Sequence, residues 1–137
     1  MWLIGLGPGN LDHMSKRAID VAKACSERFL EGYTAILPPY QEDRLEDFIG
    51  KWERIMRPLV EKPEKLLKLA KEEPVALLIV GDPMQATTHV DLEARCDELD
   101  IDFNIIPGIT ATALAVSLSG LQSVSYTHLT LPTIYSV

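Results

Sequence analysis

Cysteine is scarce in this chain, with two residues, Cys25 and Cys96, among 137. Neither their spacing nor that of the three histidines matches a metal-ligand pattern or a disulfide framework. Both therefore read as buried or half-buried free thiols, and no metal is expected. Long apolar runs are missing too. The longest, Val75 to Val80, falls far short of the ~20 residues that cross a bilayer, so no membrane role is expected. No basic n-region with a cleavage site precedes the strand-like segment at Trp2, so no signal peptide is expected and the cytoplasm is the default location. Basic residues are outnumbered, 13 Lys and Arg against 20 Asp and Glu, for a formal net charge of −7. The short basic groups, Lys16 with Arg17 and Lys65 with Lys68 and Lys71, stand beside acids on expected helices and read as solvated faces. Without a basic patch interleaved with aromatics to displace counterions, nucleic acid is not an expected partner.

What the chain does hold is the composition of a globular domain, 47% hydrophobic and 24% charged, with length for one proper core. Trp2-Leu3-Ile4-Gly5-Leu6-Gly7 is a short apolar run ending in glycines, in the manner of a buried parallel strand. Ser15 suits an N-cap, and Ala18, Ile19, Ala22 and Cys25 fall at helical spacing over Ser15 to Cys25. Glu27 to Tyr33 reads as a second strand. Leu37-Pro38-Pro39-Tyr40 reads as an extended loop, because two prolines oppose helix and sheet interior. Gln41 to Ile49 is an acidic helix stopped by Gly50, and Trp52 to Met56 a third strand. Pro63 to Lys71 is a helix with Pro63 in its first turn. Val75 to Val80 is a strand, Val90 to Leu99 a helix with Leu92, Cys96 and Leu99 inward, and Asp102 to Ile106 a strand. An apolar helix runs from about Thr110 to Leu118. Strands alternating with helices predict an α/β domain built on a mostly parallel sheet with flanking helices.

The last stretch differs. Ser123 to Val137 carries no Asp, Glu, Lys or Arg, and its apolar residues keep neither a helical period nor the parity of one strand face. Two readings stand: a native pair of edge strands, or a segment foreign to the gene. The second is expected, with residues 1–122 forming the domain and 123–137 a non-native or disordered tail.

Three loops after expected strands carry the chemistry. Gly5-Leu6-Gly7-Pro8-Gly9 is not the dinucleotide pattern, since Asn10 stands where a third glycine belongs, and it lacks the G-K-[ST] ending of a phosphate loop. Glu31 is the nearest acid to a ribose-binding position. The glycines signify a tight turn or a close backbone approach at a strand's carboxyl end. Gly81-Asp82-Pro83-Met84-Gln85-Ala86-Thr87-Thr88-His89 also follows a strand. Asp82 is suited to accept hydrogen bonds from a ligand, Thr87 and Thr88 to cap a helix, and His89 reads as structural rather than as a base. Pro107-Gly108-Ile109-Thr110-Ala111 is the third loop. Asp82 and Thr110 are expected at neighbouring strand ends, facing one crevice.

Together, in this order and spacing, the three loops resemble the tetrapyrrole methylase superfamily. Within it, Glu31-Gly32-Tyr33-Thr34 and Ala86-Thr87-Thr88-His89 resemble the diphthine synthases. The resemblance runs from Met1 to about Gln122. It implies a Rossmann-like first domain, with S-adenosylmethionine folded between it and a second α/β domain that is absent here. Carried over position by position, it implies cofactor contacts at Pro8, Asp82, Gln85, Thr110 and Ala111. Gln85 departs from the small apolar residue expected there, so its contact is expected through the backbone. The implied reaction is repeated methylation of the amine of a modified histidine on translation elongation factor 2. No residue is assigned as a catalytic base. A homodimer is implied for the full-length form, and inactivity for this fragment alone. A corrin-precursor methylase and a non-catalytic truncated α/β fragment are the rival readings.

Overall fold

The computed structural model describes residues 1–85 and 90–121. The Ala86–His89 stretch and the 122–137 tail, on which expectations were placed above, lie outside the described residues. In chain order the elements are β1 (Trp2–Gly5), a 3-10 turn (Leu11–His13), α1 (Lys16–Ala24), β2 (Glu27–Glu31), α2 (Pro39–Ile49), β3 (Glu53–Ile55), α3 (Arg57–Glu61), α4 (Glu64–Glu72), β4 (Val75–Ile79), α5 (Val90–Glu98), β5 (Asn104–Ile106) and α6 (Ala111–Ser119). The strands form one sheet in the order β3-β2-β4-β1-β5, with every pairing parallel. The α/β expectation holds.

Period-two alternation divides the core between the two faces of the sheet. Ile4, Leu30, Ala76, Leu78 and Ile106 pack with Ala18 and Ala22 of α1 and with Leu45 and Ile49 of α2. Leu3, Phe29, Ile55, Val75, Leu77 and Ile79 pack with Val60 of α3, Leu66 and Leu67 of α4, and Leu92 and Cys96 of α5. The two central strands, β4 and β1, are covered on both faces, which is why their sequences read as continuous apolar runs.

Local chemistry sets the element ends. The Ser15 hydroxyl accepts the Ala18 amide and opens α1, as expected of an N-cap. Glu31 ends β2 two residues earlier than expected, because its side chain turns back to accept the amides of Tyr33 and Thr34. The double proline does not keep α2 away: Pro39 opens it at a position where no amide is needed. Pro58, second residue of the short α3, likewise sits in a first turn that needs no amide; the sequence did not announce this helix. Leu99, expected inward, lies just past α5 and is 42% exposed. Apolar α6 buries none of its residues among the described part of the chain.

Candidate functional site

The glycines at the ends of β1 and β5 are there for close approach, and the one after β4 for its backbone conformation. A Cβ on Gly5 would lie 2.6 Å from the Gly108 nitrogen and 2.8 Å from the Gly81 oxygen; one on Gly108 would lie 2.1 Å from that same oxygen. No side chain fits between three backbones at such distances. Gly7 and Gly81 exchange both backbone hydrogen bonds, at 3.3 and 2.6 Å, and both take positive φ, +81° and +85°, a region open to glycine at no steric cost. The three motif loops are therefore knitted into one backbone cluster at the carboxyl edge of the sheet, where α/β folds bind ligands.

Asp82 completes this cluster. One carboxylate oxygen accepts the Met84 amide at 2.9 Å, closing its own turn. The other accepts the Gly108 amide at 3.0 Å and ties the second loop to the third. The acid read from sequence as a ligand acceptor thus already holds two amides, and its first role is to fix the relative position of two loops. β4 and β5 are not neighbours, since β1 lies between them. The expectation of adjacent strand ends gives way to loops that meet across the end of β1.

The first loop is held from its far side. Buried Gln41 of α2 accepts the Leu11 amide and an Arg44 N–H through its side-chain oxygen. Arg44 also donates to Asn10 and to Asp12, the latter at 2.6 Å, and lies over the Phe48 ring. The Arg44 hydrogen bond, and then its charge, hold the Asp12 carboxyl below its usual range. Pro8 is thereby carried on a loop braced at both ends.

A cleft of about 420 Å³ opens over the cluster, within the size range of small-molecule sites. Pro8, Asp82, Gln85, Thr110 and Ala111 all line it, so the five residues picked from sequence share one cavity. Thr110 caps α6, its hydroxyl oxygen accepting the Ala113 amide, which leaves the hydroxyl proton to donate elsewhere. The next amides of α6, at Ala111 and Thr112, belong to a first turn whose N–H groups lack intrahelical partners and favour negative charge. Thr34, Ala35 and Ile36, none of them named as a contact from sequence, form a further wall. Thr34 closes the Glu31-Gly32-Tyr33-Thr34 stretch that carried the resemblance, while Ala35 and Ile36 are marked only by their place directly after β2. Glu31, the candidate for ribose, is 2% exposed and turned under that wall instead. A larger cavity, about 550 Å³, lies between α5 and the 100–103 segment among Glu93, Asp97, Asp100 and Asp102; none of the motif residues reaches it. No group of three metal-ligating side chains occurs among the described residues, and none of their helices is long and apolar enough to cross a membrane.

Comparison with known proteins agrees with this arrangement. The family model described as Tetrapyrrole (Corrin/Porphyrin) Methylases matches residues 1–131. Diphthine methyl ester synthase of Yarrowia lipolytica is 40% identical over 88% of this chain and 40% of its own length. The Saccharomyces cerevisiae protein of that name is 41% identical over 89% of this chain and 41% of its own, and the Homo sapiens one 36% identical over 89% and 43%. A crystal structure of diphthine synthase superposes with a TM-score of 0.79 at 29% identity, over 88% of this chain and 49% of that one. The chain thus spans about two fifths of the length of the curated relatives it matches. With nearly the whole sequence under the family model and its three glycine loops joined over one cleft, this chain belongs to the tetrapyrrole methylase family.

Proposed function

We propose that this chain forms the donor-side domain of an S-adenosylmethionine-dependent diphthine synthase, which methylates the amine of a modified histidine on translation elongation factor 2. The observation that carries the reading is the convergence of Pro8, Asp82, Gln85, Thr110 and Ala111 on one cleft over a triple-glycine backbone junction. Resemblance to diphthine methyl ester synthases, rather than to the family at large, supports the modified histidine as acceptor, and the ester in their name adds a carboxylate oxygen to the amine as a site of methyl transfer.

The cleft suits such a donor on its own chemistry. A Cβ on Gly81 would meet nothing within 4 Å, so bare backbone faces open space there. Pro8, Val80, Ala35 and Ile36 give apolar surface, while the Thr110 hydroxyl and the α6 amides supply donors suited to a carboxylate. When bound, S-adenosylmethionine supplies a methyl group on a sulfonium, an electrophile that needs no acid to activate it. The protein's task is then placement and exclusion of water. The braced first loop and the Asp82 link between the second and third loops serve placement. Among the described residues no His, Lys or Cys lines the cleft, which accords with an amine that gives up its proton to solvent before it enters.

Titration of the 15N-labelled chain with S-adenosylhomocysteine tests the donor site. Shifts are expected at the Gly81, Gly108, Ala111 and Thr112 amides, with weak affinity because the cleft is open on one side. Shifts scattered elsewhere, or none at millimolar ligand, overturn the reading. A chimera in which the remaining length of the yeast relative follows residue 121 is expected to methylate elongation factor 2. Methylation of a corrin precursor instead would transfer the assignment to that branch of the family.

A further inference from the structure

β2 ends on a charge at a position that belongs to the core. By the alternation of the strand, Glu31 stands on the face of Phe29. Its register partner on β3, Ile55, is buried in that same core. Glu31 is itself 2% exposed. An apolar residue would add to the core there, whereas a carboxylate is costly to bury unless its oxygens find donors. Its Oε1 accepts the Tyr33 amide at 3.0 Å and the Thr34 amide at 2.6 Å. The return on that cost is the shape of the chain that follows.

This following chain crosses from one core to the other over the carboxyl end of the sheet. Tyr33 packs against the core of Phe29 and Ile55, with the Arg57 guanidinium 4.8 Å from the centre of its ring. Leu37 is buried in the opposite core. Between these two anchors, Thr34, Ala35 and Ile36 line the cleft. The start of the crossing is packed tight. A Cβ on Gly32 would lie 2.9 Å from the Arg54 stem, and Arg54 is ion-paired to Glu42 of α2. Its far end meets the first loop, since a Cβ on Gly9 would lie 4.0 Å from the Pro38 ring. In the sheet, β2, β4, β1 and β5 are consecutive. The crossing therefore walls the cleft from the β2 side and Thr110–Thr112 from the β5 side, with Pro8, Val80 and Asp82 between them.

We infer that Glu31 is a positioning residue of the donor site: its buried carboxylate fixes Thr34–Ile36 as the wall that grips the ligand opposite α6. The inference rests on the donor reading above and adds to it a residue that touches no ligand.

Titration of the 15N-labelled 137-residue chain with S-adenosylhomocysteine separates the two. In the parent, the Thr34, Ala35 and Ile36 amides are expected to shift along with those of Gly81 and Ala111. Glu31→Ala is expected to weaken the ligand about tenfold and to abolish the shifts at Thr34–Ile36, while Gly81 and Ala111 still respond. Glu31→Gln, which keeps a carbonyl oxygen for both amides, is expected to restore affinity and shifts. Ile36→Ala trims a side chain that is 76% exposed, so the fold is retained. It is expected to weaken the ligand about threefold, and it probes the wall even where Glu31→Ala does not fold. Shifts at Gly81 and Ala111 with none at Thr34–Ile36 leave the donor site standing and overturn the role of Glu31. An Ile36→Ala variant as tight as the parent overturns it too, as does a Gln variant as weak as the Ala one. Absence of shifts at all of these amides overturns the donor reading and the inference together.

Discussion

Gly108 is the residue at which fold and site meet. Its φ is not in the left-handed region, so backbone freedom does not explain it; the Gly81 oxygen, 2.1 Å from where a Cβ would stand, does. Gly108→Ala is expected to cost about 1–3 kcal/mol, the range of overpacking in a rigid setting. It should also push the third loop away from Asp82. Urea denaturation reads the first effect, and the loss of S-adenosylhomocysteine shifts at Ala111 and Thr112 reads the second. A variant as stable as the parent, with unchanged shifts, would show that the junction has room to give. Arg28 is a purely structural counterpart. It donates to the Ala22 and Cys25 oxygens at the end of α1 and to the Lys51 oxygen at 2.8 Å, and thus joins a helix end to the turn before β3. Arg28→Ala leaves part-buried carbonyls without donors and is expected to lower stability by about 1–2 kcal/mol in the same assay, with no change at the cleft.

Among the elements, α2 does the least obvious work. Its inward face steps by four residues through Gln41, Leu45 and Ile49: two apolar residues for the core and one amide for the first loop. Its Arg44 holds Asp12 on that loop, and so depresses the carboxyl's proton affinity relative to the unfolded chain. The sign follows. A depressed carboxyl stabilises the fold above its unfolded titration point, and that stabilisation fades as pH falls through the lower, folded one. Because Asp12 is solvent-exposed the effect is small and screened. Asp12→Asn is expected to flatten the acid limb of a stability-against-pH curve below about pH 4, and added salt to shrink the difference between variant and parent. A steeper limb in the variant would refute the assignment.

At the scale of the whole molecule, the sheet separates two cores, with Cys25 in one and Cys96 in the other. Burial raises both thiols above their usual titration range, so neither is a ready nucleophile. With a thiol reagent at pH 8, the folded chain is expected to react slowly at both positions, and both rates should rise together across the urea transition. Prompt reaction at one cysteine alone would mean that one face opens independently of the other.

Much of this was legible in the sequence, for a physical reason. Buried parallel strands must be apolar on both faces, so β1 and β4 announce themselves as unbroken runs. An N-cap such as Ser15 acts on its own next turn, and glycines at strand ends report a close approach, as at Gly5 and Gly108, or a positive φ, as at Gly81. These constraints are local, and local constraints leave marks in a one-dimensional string. The prolines misled at Pro39, because a first helical turn needs no amide and so tolerates the residue that breaks later ones. Long-range pairing decided the rest. That Asp82 joins two loops and that β1 stands between β4 and β5 depend on partners many residues away. A hydrogen bond from Gly108 to Asp82 leaves no period or spacing in the chain; only folding brings its two ends together.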